Sequence, residues 1–341
     1  MDVSRLVREV MDEYGEATRR VIRAYLPDRD RAPYLDGLIA DYPRRGGKMM
    51  RPTICIANAC AFGGRMEDAA PCAASIEILH NGLLVHDDIQ DGSELRRGQP
   101  TLHKLHGVPL AINAGDALLL LALRPLFDGV RPLTAGLAER ILDVTQLMAR
   151  ETAEGQALDL GWRDRMAGEV SEADYLTMVL KKTAWLATIW PAQMGLLIGS
   201  RGDADPASVV RFGFFLGAAF QIEDDLRNLE ASATYGKELN GDLYEAKRTL
   251  MLIHARRMSS SADRQTLDGF LTLTREERTA EHVRWVADLL RRQGSIDYGR
   301  TMATAMAGAA LHEFAAAYGA LPPSRDKSFI AALPTWVFTR P

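Results

Sequence analysis

Ser75-Ile76-Glu77-Ile78-Leu79-His80-Asn81-Gly82-Leu83-Leu84-Val85-His86-Asp87-Asp88-Ile89-Gln90-Asp91 carries two patterns at once. Ile76, Leu79, Leu83 and Leu84 recur at steps of three and four, the period of one helix face. The run then ends in three aspartates. The same stepping returns at Leu176, Val179 and Leu180, while strictly alternating Val/Ile/Thr runs are absent. Helix stops recur at Pro27-Asp28, Gly63-Gly64, Gly129, Gly161 and Gly202-Asp203. These features predict an all-α bundle of roughly ten or more helices. Ala111 to Leu123 and Phe212 to Ile222 are apolar on most faces, which predicts a central position for both.

Composition sets the outer bounds. The chain has 341 residues, 47% hydrophobic and 25% charged, a balance that supports a large core. No Pro/Gly/Ser linker divides it, so a single domain over residues 1–341 is expected. The net charge of -4, without a clustered Lys/Arg excess, argues against nucleic acid as a partner. Cys55, Cys60 and Cys72 fit neither a disulfide framework nor CxxC metal spacing, so they read as buried thiols of a cytoplasmic protein. Met1 to Arg23 lacks the apolar core of a signal peptide and reads as a helix. The uncharged stretch Thr183 to Ser200 could span a bilayer by length, but Pro191, Gln193 and two threonines favour a buried core helix; no transmembrane segment is expected.

The chemistry concentrates in the acidic ends of apolar helices. Asp87 and Asp91 share a helix face and Asp88 lies about 100° around it. Three like charges so close call for a cation, and hard oxygen ligands suit magnesium, which binds through one or two carboxylates plus substrate phosphates. Gln221-Ile222-Glu223-Asp224-Asp225-Leu226-Arg227-Asn228 repeats the arrangement after a second apolar helix. Two such ends in one bundle can face each other across a cavity. Basic groups recur at Lys48 and Arg51, Arg96-Arg97, Lys181-Lys182, Lys237 and Lys247-Arg248, the mixture of Arg forks and Lys point charges that two diphosphates require.

In this order the motifs GGKxxRP, ExxH, DDxxD, RRGxPT, GQxLD, KT, FQIxDD and GK, from about Gly46 to about Ala255, resemble the trans-isoprenyl diphosphate synthases of the polyprenyl synthetase family. The resemblance implies an isoprenoid-synthase helical bundle around a central active-site cavity, a homodimer, and three magnesium ions per site. It implies Asp87, Asp91 and Asp224 as principal metal ligands, with Asp88 and Asp225 in support. Arg96, Lys182 and Lys237 would hold an allylic diphosphate; Lys48, Arg51, His80 and Arg97 would hold isopentenyl diphosphate; Gln156 fills the GQxLD position as a further substrate contact. Thr183 and Gln221 would turn oxygen dipoles toward the allylic carbocation. Asn228 stands where many members have aspartate and Ala246 where glycine is usual. Gly82 and Leu83, just before Asp87, would set product length; their small and aliphatic side chains suit geranylgeranyl diphosphate, with a longer product as the alternative. A terpene cyclase of the same fold would not need the second diphosphate site, and a non-catalytic partner subunit would not need both acidic sets.

Overall fold

The structure is a computed structural model and describes residues 3–27, 32–163, 169–230 and 240–340. In chain order the helices are α1 (Val3–Tyr25), α2 (Asp36–Arg44), α3 (Met50–Ala61), α4 (Met66–Asp91), α5 (Leu102–His106), α6 (Val108–Leu121), α7 (Leu123–Val130), α8 (Ala135–Trp162), α9 (Glu172–Met178), α10 (Trp190–Gly199), α11 (Val210–Glu230), α12 (Gly241–Tyr244), α13 (Leu250–Met258), α14 (Ser261–Thr272), α15 (Ala280–Arg292), α16 (Ser295–Tyr318) and α17 (Arg325–Thr339). Between α9 and α10 the chain runs on as a wider π-helical stretch, Val179–Ile189. Among the described residues the strand pairing is confined to Leu95–Arg96 against Gln99–Pro100. The all-α expectation matches this architecture.

Local chemistry explains the boundaries. The Thr134 hydroxyl accepts from the Leu137 amide to open α8, and Ser171 with Asp174 forms a capping box at the start of α9. α4 packs on α1, α3, α6 and α7, while α11 packs on α16, α17 and the π-helical stretch. Ile54, Ile76, Leu196, Phe212, Leu216 and Phe329 join these layers in one buried cluster. α8 comes unusually close to the π-helical stretch: a Cβ at Gly155 would lie 2.2 Å from the Lys182 amide nitrogen. Only glycine permits that approach, and it brings Gln156 and Asp159 beside Lys182.

Two sequence expectations about apolar helices part company here. Every residue of α10 is buried, as expected of the core part of the uncharged stretch, and α11 is central. The 111–123 segment is not. α6 buries Ala111, Ala114, Gly115 and Leu118 against its neighbours but leaves Ile112 and Leu120 exposed. Small residues suffice for close packing on α4, so the larger apolar side chains are left for the outer face. α6 and α7 together are long and apolar enough to cross a membrane by composition alone, yet α4 packs against both.

Candidate active site

α4, α8, the π-helical stretch and α11 surround a cavity of about 990 Å³. Its mouth carries Asp87, Lys182, Asp224, Asp225, Asp242 and Lys247, and its depths carry Leu79, Leu83, Leu119, Met148 and Leu186. The two acidic sets therefore meet on one cavity, although they lie far apart in the sequence.

The three aspartates of the first set have different surroundings. Asp87 faces the cavity and has only long contacts: Gln156 Nε2 at 3.3 Å, Lys182 Nζ at 3.5 Å and Arg96 Nη2 at 3.8 Å. Asp88 is fully buried, where Tyr42 donates its hydroxyl at 2.6 Å and Arg96 grips the carboxylate through Nε at 3.0 and 3.1 Å. Arg96 thus braces Asp88 and also lines the cavity. Asp91 turns away from the cavity, taking Arg163 Nη1 at 2.6 Å and Lys247 Nζ at 3.0 Å. Burial opposes its charge, but Lys247 and Arg163 outweigh burial and hold its carboxyl well below the usual carboxylate range. Arg163 also binds Asp159 at 2.6 Å, and Asp159 takes Lys182 at 2.5 Å, so a ladder of alternating charge joins Asp91 to Lys182.

The second set is held by α9, the π-helical stretch and the C-terminus. Thr183 donates to Gln221 Oε1 at 2.7 Å, Gln221 Nε2 donates to Asp225 Oδ1 at 2.7 Å, and the Tyr175 hydroxyl donates to Asp225 Oδ2 at 2.8 Å. Asp224 meets Arg340 at 2.5 Å. Burial and the nearby Asp242 charge push the Asp225 carboxyl up to about 8. Asn228 spends its amide oxygen on the Asp242 amide at 3.1 Å, so it ties α11 to the start of α12. Ala246, at the family's glycine position, sits at φ +54° in the left-handed region and turns the chain so that Lys247 enters the cavity.

Arg51, His80 and Arg97 also line this cavity as a basic group, with Glu77 and Asp224 the acids that act on Arg51. Arg97 donates to the Tyr42 carbonyl at 2.8 Å and lies 4.0 Å from the buried Glu77. Burial and then Arg51 and Arg97 press the His80 pKa well below its usual value, so the ring is neutral; its Nδ1 and the Arg51 Nε are buried without hydrogen-bond partners. The unpartnered Arg51 Nε donor in this basic group fits an anion with several oxygens. Lys48 is exposed and is not among the residues lining the cavity. Lys181 pairs with Glu151 and Glu154 at 2.8 and 2.6 Å, leaving Lys182 as the lysine of that pair that enters the site. Lys237 lies outside the described residues.

Gly82 requires a correction. A Cβ there would meet Leu119 Cδ2 at 3.0 Å, the Gly115 carbonyl at 3.1 Å and Leu118 Cβ at 3.1 Å, so this face of α4 packs on α6 and does not open on the cavity. Leu83 does line it, together with Leu79.

The acidic groups suit magnesium in type. Among the described residues no three carboxylate, imidazole or thiolate groups stand close enough to hold one ion as they are. The chemistry nevertheless fits. Asp87, Asp224 and Asp225 present carboxylate oxygens to one cavity, Asp87 keeps its nearest cation 3.5 Å away, and the crowding of Asp225 by Asp242 is relieved by added positive charge. Diphosphate oxygens would complete such a shell.

Tyr42, Tyr175 and Arg163 were not singled out from sequence. The tyrosines carry no signal there, since buried tyrosine is ordinary core material; Arg163 does, because it stands four residues after Asp159.

Comparison with known proteins agrees with this geometry. Residues 32–290 match the polyprenyl synthetase family. The chain is 33% identical over 301 residues to a short chain isoprenyl diphosphate synthase of Methanothermobacter thermautotrophicus, covering 87% of this chain and 88% of that protein. It is 35% identical over 259 residues to a geranylgeranyl diphosphate synthase of Sulfolobus acidocaldarius, covering 76% and 77%. The crystal structure of geranylgeranyl pyrophosphate synthetase from Pyrococcus horikoshii superposes with a TM-score of 0.86 at 30% identity, covering 100% of both chains. Opposed acidic helix ends, a basic group and an apolar depth thus recur in a chain that belongs to the polyprenyl synthetase family and is a prenyltransferase, a trans-isoprenyl diphosphate synthase.

Proposed function

We propose that the protein condenses isopentenyl diphosphate head to tail with an allylic diphosphate in a magnesium-dependent reaction and releases geranylgeranyl diphosphate. The observation that carries this reading is one cavity lined both by acids of the two motifs, Asp87 with Asp224 and Asp225, and by a basic group, Arg51, His80 and Arg97. One diphosphate needs the first; a second needs the other. A cyclase, which ionises a single diphosphate, has no use for the basic group.

Magnesium, when bound, would neutralise the charge that develops on the departing diphosphate; Asp87, Asp224 and Asp225 are the residues that would hold it. Lys182, braced by Asp159 at 2.5 Å, adds a fixed positive charge beside Asp87. Arg51, neutral His80 and Arg97 orient isopentenyl diphosphate with its double bond toward the allylic carbon. The Thr183 and Gln221 oxygens, linked at 2.7 Å, offer preorganised dipoles to the developing carbocation, while aliphatic walls exclude water. The departing diphosphate then takes the proton that is lost.

The apolar part of the cavity is walled by Leu79, Leu83, Leu119 and Leu186, with no aromatic ring among them to stop the chain at three isoprene units. A homodimer is the second part of the proposal. Val108, Ile112, Leu120, Leu123 and Phe127 expose a row of apolar side chains on α6 and α7, next to the cavity wall at Leu119. A second copy of the chain would cover it.

Incubating the protein with labelled isopentenyl diphosphate and each allylic diphosphate tests the reading. A four-unit all-trans diphosphate is expected; a cyclic hydrocarbon, or no coupled product from any primer, contradicts it.

A further inference from the structure

We propose that Arg45, which does not line the cavity, is a positioning residue for isopentenyl diphosphate: it locks the hairpin turn that presents Arg97. The inference rests on the reading of Arg51, His80 and Arg97 as the site of that diphosphate. Arg97 and Gly98 form the turn between Leu95–Arg96 and Gln99–Pro100. Both have positive φ, +55° and +75°. A two-residue hairpin asks for that conformation at both places, and asparagine, aspartate or glycine normally supplies it. Gly98 adopts it without steric cost, whereas an arginine in the left-handed region has to be held there.

Arg45 holds it. The residue directly follows α2, its side chain is only 3% exposed, and its Nη1 donates to the Arg96 carbonyl at 3.2 Å and to the Gln99 carbonyl at 3.4 Å. Those carbonyls flank the turn, so one guanidinium ties both strand ends to α2. The guanidinium is itself fixed from two sides. Its carbon stands 4.7 Å over the centre of the Tyr42 ring, and Nε lies 2.5 Å from Asp41 Oδ1. A lysine would carry the same charge but has neither the flat face for the ring nor a second nitrogen for Asp41.

The turn presents the Arg97 guanidinium. Its Nη1 donates to the Tyr42 carbonyl at 2.8 Å and to Asn81 Oδ1 at 3.4 Å, and its Nη2 lies against Gly47, where a Cβ would stand 2.9 Å away. Tyr42 thus supports both arginines, with its ring under Arg45 and its carbonyl on Arg97. Arg97 lines the cavity with Arg51 and His80, whereas Arg45 and Tyr42 stand behind it. Arg96, the other arginine of the hairpin, has its own clamp in Asp88, at 3.0 and 3.1 Å from Nε. Loss of Arg45 therefore falls on the placement of Arg97.

A double-mutant cycle on Arg45 and Arg97 tests the proposal. Arg45→Met keeps an apolar stem over Tyr42 and leaves Asp41, whose side chain is 28% exposed, to water. It is expected to raise KM for isopentenyl diphosphate roughly tenfold, the factor for one misaligned charge-assisted hydrogen bond. Over the same comparison kcat and KM for the allylic diphosphate stay within about twofold. Arg45→Lys is expected to fall between wild type and Arg45→Met. In an Arg97→Ala background nothing is left to position, and Arg45→Met is expected to change KM for isopentenyl diphosphate by less than about twofold. Should Arg45→Met fail to fold, Arg45→Lys passes through the same cycle and decides. An unchanged KM in the folded single variant, or an equal effect with and without Arg97, overturns the proposal. The reading of the site fails separately. If Arg97→Ala raises KM for the allylic diphosphate alone, the basic group is not the second site, while the placing of Arg97 by Arg45 is still judged by whether the Arg45 effect vanishes in the Arg97→Ala background.

Discussion

Asp87 differs from its two neighbours in what holds it. Protein cations already neutralise Asp88 and Asp91, through Arg96 at 3.0 Å and through Arg163 and Lys247 at 2.6 and 3.0 Å. Asp87 keeps its nearest cation at 3.5 Å and so retains charge for metal and substrate. Asp87→Ala is expected to lose several orders of magnitude in kcat/KM, measured by steady-state coupling assays. Asn228→Ala should lose far less, about fivefold, because what it removes is one hydrogen bond of about 1 kcal/mol to the Asp242 amide. Near-normal turnover in the Asp87 variant would contradict the carboxylate assignment. The sequence marks all three aspartates alike, since type and spacing are all it displays. Which of them stays open depends on Tyr42, Arg163 and Lys247, brought in from distant segments. Lys48 and Arg51 illustrate the same limit: one motif supplies both, yet only Arg51 lines the cavity.

At the level of elements, the apolar patterning placed α4 and α11 well, and their acidic ends with them. It did not reveal the π-helical stretch over Val179–Ile189, because the segment is apolar on several sides and a change of period leaves no mark there. Nor did it reveal which face of α4 meets which neighbour. Gly82 was read as an open channel, whereas the structure uses it to bring α4 against Gly115 and Leu118 of α6. Gly82→Phe is therefore expected to act on stability and not on product length. A ring in that contact should cost about 1–3 kcal/mol or more by overpacking, visible as a lowered Tm. A stable variant that makes a shorter product would contradict this packing. The glycine of the GQxLD motif shows the opposite case: its meaning was legible as part of the resemblance, and the 2.2 Å approach of α8 to Lys182 supplies the physical reason.

For the whole molecule, the bundle and the meeting of its two acidic sets were legible in the sequence; the outer surface was not, because an apolar helix can serve a core or an interface equally well. Leu120 is 67% and Phe127 49% exposed, beside a cavity whose wall includes Leu119. Leu120→Glu with Phe127→Glu is expected to convert a homodimer to monomer in light scattering, and a wild type that is already monomeric would contradict the proposed covering of this face. The central claim is that one cavity holds two diphosphates in separate places, and substrate-specific kinetics test it most directly. Losing one charge-assisted hydrogen bond costs about 1.5–3 kcal/mol, roughly tenfold to more than a hundredfold in binding. Arg51→Ala is expected to raise KM for isopentenyl diphosphate by that factor with little change for the allylic partner, and Lys182→Ala to do the reverse. If Arg51→Ala instead raises KM for the allylic diphosphate alone, the basic group is not the second site and the account is contradicted.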